Sequence, residues 1–254
     1  MGRFIRTGHS DRIFTITISR PEVRNALNSE SCVEMSDAWD EFAADPDLWI
    51  AIVTGEGDSA FCAGHDLSDE SPMPDTGWAG LSSRLRPISK PIIAAVNGNA
   101  YGGGFELALA SDIIVADERA AFAMSEPRVG FVALGGGADR LILRLPTAIA
   151  MGLLLTGRRI DAAEAHRWGI VNEIASAGTV LEVAHKWAQD ILLCSPLAVR
   201  YTKELALASL EGATWTAEQV ELRSQLWEKL KVLDDTREGI NAFAAKRTPQ
   251  WAGH

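Results

Sequence analysis

The sequence contains little cysteine and no long apolar run. Its three cysteines, at positions 32, 62 and 194, are far apart and lack CxxC spacing. This pattern argues against a disulfide framework or a zinc site, and it is typical of a protein of the reducing cytoplasm. The densest apolar run, residues 148–155, is much shorter than the roughly 18 residues that a membrane span needs. We therefore predict neither disulfides nor a membrane segment.

Positive charge is also scarce. Lysine and arginine number 24 against 34 acidic residues, which gives a net charge of −10. Such a chain has no general attraction for nucleic acid or anionic lipid, so any phosphate binding has to be local. The first residues lack the apolar core and cleavage site of a signal peptide. We expect a cytoplasmic location, with neither nucleic acid nor a membrane as a partner.

Several catalytic signatures are missing. The sequence has no GxSxG elbow and its five histidines lie far apart, which argues against a serine hydrolase and a metal cluster. The segment from Gly55 to Ala60 imitates a GxGxxA dinucleotide motif. The residues that follow, 61–65, are too glycine-rich to begin the helix that this motif requires. A nicotinamide-binding fold is therefore not expected.

Apolar patterning predicts an α/β fold. Phe14, Ile16 and Ile18 alternate with threonines, as in a half-buried strand. Nearly continuous apolar runs predict buried strands at 49–54, 91–96 and 112–117. Apolar residues at helical spacing predict a helix behind a possible Ser29 cap, ending at Asp45 before a proline. Strands and helices therefore alternate through the first two thirds of the chain.

The last third has a different pattern. From residue 147 to 245, helical periodicity and richness in alanine and leucine predict helices and almost no strand. Ser195-Pro196 predicts a helix start, so we divide the chain into a core, 1–195, and a helical C-terminal region, 196–254. The segment from Asp69 to Ser89, rich in proline and glycine, predicts a mobile surface loop.

Two glycine clusters each follow a predicted buried strand, at 61–67 and 97–106. In the second cluster, Gly102, Gly103 and Gly104 precede a helix-forming run. Free backbone N–H groups are then expected at a helix N-terminus, which stabilises an anion. A tight turn between two core elements would have the same spacing, so the spacing alone leaves both interpretations open.

A series of motifs resembles the crotonase (enoyl-CoA hydratase/isomerase) superfamily. The motifs follow the family's order over residues 12 to 251, and any one alone would be weak. They are Arg20-Pro21-x-x-x-Asn25-Ala26-Leu27, Phe61-x-Ala63-Gly64-x-Asp66-Leu67, Lys90 to Gly98, Gly102-Gly103-Gly104-x-Glu106-Leu107-Ala108, Thr156-Gly157-Arg158, Trp168 to Asn172 and Phe243-x-x-Lys246-Arg247-x-Pro249. Residues 102–112 and 167–172, and the loop that carries Gly80, resemble one subgroup most.

The resemblance implies a fold and a function. The fold is a crotonase-like spiral of ββα units with a helical C-terminal region that mediates trimerisation, in a homotrimer or a hexamer. The function is hydration or isomerisation of an enoyl-CoA through an enolate, with the substrate carried as a coenzyme A thioester and no metal or other cofactor. A thioester hydrolase or decarboxylase remains the alternative enzyme. A catalytically weak CoA-binding oligomer is the alternative of another class.

The resemblance also implies catalytic roles. The backbone amides of His65 and Gly103 form an oxyanion hole for the thioester oxygen, and Glu106 is a catalytic acid or base. Alternatively, the His65 imidazole acts as a general base, or Glu106 is an ordinary glutamate that the helix dipole favours in a first turn. An enzyme needs Glu106, whereas a protein that only binds CoA does not.

The sequence departs from the family at the second catalytic glutamate. The family has a Pro-Glu pair there, whereas this chain has Pro127-Arg128, and arginine is no base at neutral pH. Glu126, on the same face of an extended segment, could replace it. Alternatively Glu106 works alone, or Arg128 faces the acyl pocket and pairs with an anionic acyl chain. We favour the pocket-facing Arg128, which is expected to lower the pKa of Glu106.

For coenzyme A, the resemblance implies backbone contacts from two motifs and basic residues at the phosphates. The candidate residues are Arg24, Ala26, Ala63, His65, Asp66, Leu67 and Lys246. Arg24 and Lys246 are the candidate phosphate ligands. Either of them could instead be an ordinary solvated charge.

Overall fold

The computed structural model describes residues 2–72, 74, 78–79, 88–208 and 217–254, without the side chains of 217–220 and 222. The chain divides into two compact units. The first comprises the described residues up to position 79 together with Ile92–His185. The second comprises Ile88–Pro91 and Lys186–His254. The boundary between 195 and 196 stays a prediction, and the loop predicted from Asp69 to Ser89 lies partly outside the described residues.

Six strands of the first unit form one sheet. They are β1 (Ile5–Ser10), β2 (Ile13–Ile18), β3 (Ile50–Gly55), β5 (Ile92–Val96), β7 (Ile113–Asp117) and β10 (Glu173–Ala175), in the order β1-β2-β3-β5-β7-β10. β1 and β2 pair antiparallel, and the other pairs are parallel. β3 and β5 are buried along their whole length, as parallel strands covered on both faces are. The four strand predictions are confirmed.

Four short strands of the same unit form a second sheet. They are β4 (Ala60–Cys62), β6 (Asn99–Tyr101), β8 (Ala121–Ala123) and β9 (Ile160–Asp161), in the order β4-β6-β8-β9. β4, β6 and β8 are parallel, whereas β9 runs antiparallel to β8. The carboxyl ends of the three parallel strands therefore lie at one edge of this sheet.

Helix α1 (Ser29–Ala44) confirms the first helix prediction and corrects its cap. The N-cap is Asn28 rather than Ser29, because the Asn28 side chain accepts a hydrogen bond of 2.9 Å from the Ser31 amide. The Ser31 hydroxyl in turn accepts one of 2.8 Å from the Asn28 amide, which completes a capping box. The buried face of the helix includes Cys32, Met35, Trp39 and Phe42.

The described residues form eight further α-helices. They are α2 (Gly103–Ala110), α3 (Gly137–Arg144), α4 (Thr147–Thr156), α5 (Ala162–Arg167), α6 (Val180–Leu192), α7 (Pro196–Ala208), α8 (Ala217–Leu230) and α9 (Asp234–Ala245). The helix start at Ser195-Pro196 is confirmed. The expectation of almost no strand after residue 147 is confirmed for the described residues, where β9 and β10 are the exceptions. These strands have two or three residues, too few for an alternating pattern.

The second unit contains α7, α8 and α9 with the C-terminal residues. Asp235, in the first turn of α9, is 1% exposed. Its carboxylate accepts hydrogen bonds from the N–H groups of Ala252 (2.7 Å) and Gly253 (3.1 Å). This carboxylate therefore ties the end of the chain to the start of α9. Among the described residues, no helix combines the length and the apolar character needed to cross a membrane.

Candidate active site

Three strands of the second sheet lead into turns that carry candidate residues. β4 leads to His65, β6 to Gly103 and β8 to Glu126. The Gly102 N–H donates a hydrogen bond of 2.8 Å to the Ala123 carbonyl, which links two of the turns. Because parallel neighbours end at the same edge, the sheet gathers residues that are far apart in the sequence.

The pairing of its strand leaves the His65 amide free. His65 forms an isolated parallel bridge with Leu27. The bridge uses the Gly64 carbonyl and the Asp66 N–H, at 2.8 and 2.9 Å, so the His65 N–H is directed away from Leu27. Among the described residues it has no backbone or side-chain acceptor. It is therefore available to a ligand.

The Gly103 amide is a second donor that has no acceptor among the described residues. Gly103 is the first residue of α2, and the first N–H groups of a helix have no partner within it. Gly64, with φ of +98°, allows the close approach of the two turns. A Cβ on Gly64 would lie 2.9 Å from the Tyr101 carbonyl oxygen and 3.1 Å from the Gly103 nitrogen. The two amides proposed for the oxyanion hole therefore lie on adjoining turns.

Glu106, in the first turn of α2, is only 4% exposed. Its Oε1 accepts a hydrogen bond of 2.9 Å from the Gly137 N–H. Burial raises the pKa of Glu106 to about 7. The Gly137 N–H and the charge of Arg140 oppose this rise, whereas the charge of Glu126 adds to it. A carboxyl with such a pKa can exchange protons at neutral pH.

Glu126 lies beside the turn that carries Gly103. A Cβ on Gly102 would lie 3.3 Å from Glu126 Oε1, so the carboxylate is close to the residue that precedes Gly103. Both carboxylate oxygens are buried, and neither has a hydrogen-bond partner in another described residue. Burial raises the pKa of Glu126. A buried carboxylate without donors is costly unless a proton or a ligand satisfies it.

Arg128 contacts a different part of the first unit. Its side chain is exposed, and Nε donates a hydrogen bond of 2.9 Å to the Thr156 carbonyl. Glu126–Val129 is a 3-10 helix rather than the expected extended segment, so residues two apart point in different directions. The expected lowering of the Glu106 pKa is wrong, because burial dominates and raises it. Glu126, and not Arg128, therefore lies beside Gly102 at this edge of the second sheet.

The first three CoA candidates lie where two family motifs meet. The Ala63 N–H donates a hydrogen bond of 3.0 Å to the Arg24 carbonyl, which joins the motifs through the backbone. The Arg24 side chain is exposed. Ala26 is 7% exposed, and its carbonyl accepts a hydrogen bond of 2.5 Å from the buried Arg20 guanidinium. The backbone here is fixed, while the Arg24 charge faces solvent.

The other CoA candidates have different environments. Asp66 forms an ion pair of 3.0 Å with Arg20, and a hydrogen bond from Ser68 contributes most to lowering the Asp66 pKa. The Asp66 carboxylate therefore holds its own turn in place. Leu67 is 63% exposed. Lys246 lies in the second unit as the C-cap of α9, with an exposed side chain.

The sequence interpretation missed two residues of the site. A Cβ on Gly103 would lie 2.6 Å from the Trp78 ring, and a Cβ on Gly137 would lie 2.8 Å from Glu106 Cγ. Gly137 is the last residue of a third glycine cluster, 135–137, and the first residue of α3. The cluster 102–104 likewise leads into α2. The similarity of these two glycine clusters could have marked Gly137 as a candidate residue from the sequence. Trp78 falls in the predicted loop, and no pattern marks it.

The described residues offer no metal cluster, and the cysteine nearest the candidate site is a poor nucleophile. In that part of the chain, no group of three or more His, Cys, Asp and Glu side chains could hold a metal ion. The three cysteines, all described, are free; Cys32 and Cys62 are buried and Cys194 is exposed. Burial raises the pKa of the Cys62 thiol to about 12, which makes it a poor nucleophile.

The raised pKa of Glu106 predicts pH-dependent stability. Because the folded pKa of about 7 exceeds the ordinary glutamate value of 4.5, the protonated form stabilises the fold below pH 4.5, and this contribution is lost as the pH rises through 7. Glu106→Gln has no carboxyl to titrate, so this loss of stability does not occur in the variant. Between these limits its free energy of unfolding should therefore rise by about 3 kcal/mol relative to that of the wild type. Urea unfolding at about pH 5 and pH 8 measures the difference. Equal differences at both pH values would contradict the assignment.

Two free amides beside a buried carboxyl of near-neutral pKa make a site for an enzyme that stabilises an oxyanion and moves a proton. A family model described as Enoyl-CoA hydratase/isomerase matches residues 8–254. The chain belongs to this family, and it is an enzyme that hydrates or isomerises CoA thioesters. The predicted family, fold and type of reaction are confirmed.

Within this family, the chain is similar to proteins of one named activity. The carnitinyl-CoA dehydratase of Proteus mirabilis (strain HI4320) is 42% identical over 95% of each chain. The protein of that name from Salmonella arizonae is 40% identical over 100% of both. This is the subgroup that residues 102–112 and 167–172 resemble, so that prediction is confirmed.

Solved structures support the fold. The crystal structure of enoyl-CoA hydratase from Mycobacterium tuberculosis H37Rv has a TM-score of 0.92 at 40% identity, covering 99% of each chain. The enoyl-CoA hydratase from Bacillus anthracis has a TM-score of 0.91 at 29% identity, covering 99% of this chain and 100% of that one. The protein therefore has the α/β crotonase fold that its motifs predicted.

Proposed function

We propose that the enzyme reversibly hydrates an enoyl-CoA, with the thioester oxygen held by the N–H groups of His65 and Gly103. The observation that carries this proposal is the position of Glu106, buried three residues after the free Gly103 amide with a pKa of about 7. Negative charge that develops on the thioester oxygen is stabilised by two preorganised donors. A carboxyl of near-neutral pKa can move the protons of the same reaction.

Glu106 and Glu126 act as the acid–base pair in this proposal. The pKa of each carboxyl is raised, and the charge of Glu126 contributes to the rise at Glu106. In this proposal one carboxyl of the pair is protonated and the other is ionised. The ionised carboxylate takes a proton from water as the water oxygen bonds to the β carbon, and the double-bond electrons move into the enolate. The other carboxyl then gives its proton to the α carbon, and dehydration is the reverse.

The acyl group we propose is a short chain that ends in a quaternary ammonium group. Its support is the 42% identity to proteins named carnitinyl-CoA dehydratase, since the carnitinyl group is such a chain. Charge supports it too, because the free Glu126 carboxylate lies beside Gly102. Arg128, which would favour an anionic chain, is exposed and hydrogen-bonded to Thr156.

Coenzyme A carries the acyl group, and no separate cofactor takes part. Arg24 and Lys246 are the proposed phosphate ligands, because both are exposed cations next to family motifs. The backbone around Ala63 and His65 is the proposed adenine contact. The other proposed CoA contacts are Ala26, Asp66 and Leu67.

The proposed assembly is a homotrimer or a hexamer in the cytoplasm. The helical C-terminal region leaves large apolar side chains exposed, as an interface requires. These side chains are Trp227, Val232, Ile240 and Phe243. Three free cysteines fit the reducing cytoplasm.

The alternative functions fit the site less well. A thioester hydrolase or a decarboxylase could use the same two amides, but neither requires a second buried carboxyl that raises the pKa of Glu106. A protein that only binds CoA would have no use for either buried carboxyl, and burying an ionisable group without a function costs stability. The acid–base pair therefore favours hydration.

Mass spectrometry of purified enzyme with a panel of enoyl-CoA thioesters tests the proposal. The panel contains crotonyl-CoA, an enoyl-CoA ending in a carboxylate, and crotonobetainyl-CoA, the dehydration product of carnitinyl-CoA. The expected result is addition of one water to crotonobetainyl-CoA, faster than to the other two. Release of free CoA without hydration would contradict the proposal, as would a preference for the carboxylate chain.

The assignment of the second carboxyl makes a separate prediction. Glu126→Gln should lower hydration of crotonyl-CoA on the order of 100-fold, because the variant cannot exchange a proton. Arg128→Glu should change it little, because Arg128 is exposed and bonded to Thr156. Steady-state kinetics of both variants measures this. A nearly silent Glu126→Gln beside a damaging Arg128→Glu would return the role to position 128.

A further inference from the structure

The indole ring of Trp78 lies against the backbone of Gly103. Three ring atoms of Trp78 would be 2.6 to 2.9 Å from a Cβ on Gly103, so a side chain there would collide with the ring. The backbone beside Trp78 is fixed, because the Ala79 carbonyl accepts a hydrogen bond of 3.1 Å from the buried Trp39 indole. The ring is therefore a built part of the surroundings of the Gly103 amide.

The neighbouring residue faces a negative charge. Gly102 lies next to the Glu126 carboxylate, since a Cβ on Gly102 would be 3.3 Å from Glu126 Oε1. Both Glu126 oxygens are buried and lack a hydrogen-bond partner in another described residue. Two consecutive glycines thus have an aromatic ring beside one and a carboxylate without donors beside the other. Both groups therefore lie beside the turn whose Gly103 amide is proposed to bind the thioester oxygen.

This pair of groups suits a particular kind of cation. A quaternary ammonium group has no N–H and donates no conventional hydrogen bond, so it is recognised by aromatic faces and by uncompensated negative charge. A primary ammonium or a guanidinium would instead need several directed acceptors. An anionic group would be repelled by the carboxylate and by the negative face of the ring.

We propose that Trp78 and Glu126 together select acyl chains that end in a trimethylammonium group, with Trp78 as the specificity-determining residue. The inference rests on the proposed hydratase function and adds the residues that choose the substrate. Trp78 contributes the attraction between its ring and the cation. Glu126 contributes charge in addition to its catalytic role.

Binding of two unreactive acyl-CoA thioesters tests the inference without turnover. One is a saturated chain that ends in trimethylammonium, and the other is its neutral isostere, which ends in a tert-butyl group. Their dissociation constants are measured for the wild type, Trp78→Phe, Trp78→Leu, Glu126→Gln and Trp49→Leu. The ratio of the two constants cancels losses of apolar contact, because the ligands share one outline.

The wild type is expected to prefer the cationic ligand, and Trp78→Leu should lower that preference about tenfold. Trp78→Phe should lie between the two, since phenylalanine is the weaker cation partner. Glu126→Gln should lower the preference as well. Trp49, whose ring contacts Arg12 at 4.7 Å elsewhere in the unit, serves as the matched control, and its variant should keep the wild-type ratio.

Two results would overturn the inference. The first is a wild-type ratio near one, and the second is a ratio that Trp78→Leu leaves unchanged. Crotonyl-CoA hydration by the wild type is measured in parallel to separate the inference from the proposed function. Hydration with an unselective ratio removes only the inference, whereas absence of hydration of every enoyl-CoA removes the function.

Discussion

Glu106→Gln should lower turnover of the enoyl-CoA substrate by at least about 100-fold, within the range of 10²–10⁴ typical of a general acid or base. The glutamine side chain is nearly the same size and can still accept the hydrogen bond from the Gly137 N–H. It cannot exchange a proton. The loss should therefore appear in kcat, while affinity for the CoA ester changes little. Single-turnover kinetics together with ligand titration measures the two effects separately.

The matched control for this variant is Glu173→Gln, a substitution at an exposed glutamate of β10. It removes the same charge from the same unit and should leave turnover unchanged. Near-wild-type turnover of Glu106→Gln would remove Glu106 from the mechanism. A large rise in the dissociation constant with unchanged kcat would instead make Glu106 a binding residue.

Gly103→Pro should lower turnover by a further 10²–10³, about 3 to 4 kcal/mol, relative to Gly103→Ala. Both substitutions add a Cβ that collides with the Trp78 ring, so the shared steric cost cancels in the comparison. Proline alone deletes the N–H, and it is tolerated at the first position of a helix, where Gly103 lies. The difference between the variants therefore measures the donor. Equal turnover of the two would contradict the oxyanion role of this amide.

His65→Ala completes the test of the oxyanion hole. The substitution keeps the backbone N–H, which the bridge with Leu27 leaves free, so the variant should retain most of the turnover. The alternative role of the imidazole as a general base predicts a large loss. A folded His65→Ala enzyme that binds CoA esters but is inactive would place the catalytic role on the imidazole.

Much of the fold could be predicted from the sequence, and so could the glycine turn that leads into α2. The buried strands β3, β5 and β7 are continuous apolar runs, and the helix α2 follows three glycines as expected. Local pattern was sufficient here, because burial on both faces and glycine clusters leave direct traces in the chain. β9 and β10 left no trace, since short edge strands depend on partners that the sequence does not reveal.

The environment of the carboxyls could not be predicted. An extended segment was assumed around Glu126, whereas its residues form a 3-10 helix that turns Arg128 toward Thr156. The sign of the Glu106 pKa shift depended on that geometry, since burial rather than an arginine determines it. Trp78 reaches the site through tertiary packing against Gly103. Such contacts between distant segments follow from the fold and not from local spacing.

The most direct test of acid–base hydration at an oxyanion site is isotope incorporation in deuterated water that also carries heavy oxygen. The account predicts that crotonobetainyl-CoA gains one labelled oxygen at its β carbon and one deuterium at its α carbon, with the thioester intact. Glu106→Gln should slow both incorporations together. Labelled oxygen in a free carboxylate with release of CoA would contradict the account, as would a displaced double bond that carries deuterium and no added oxygen.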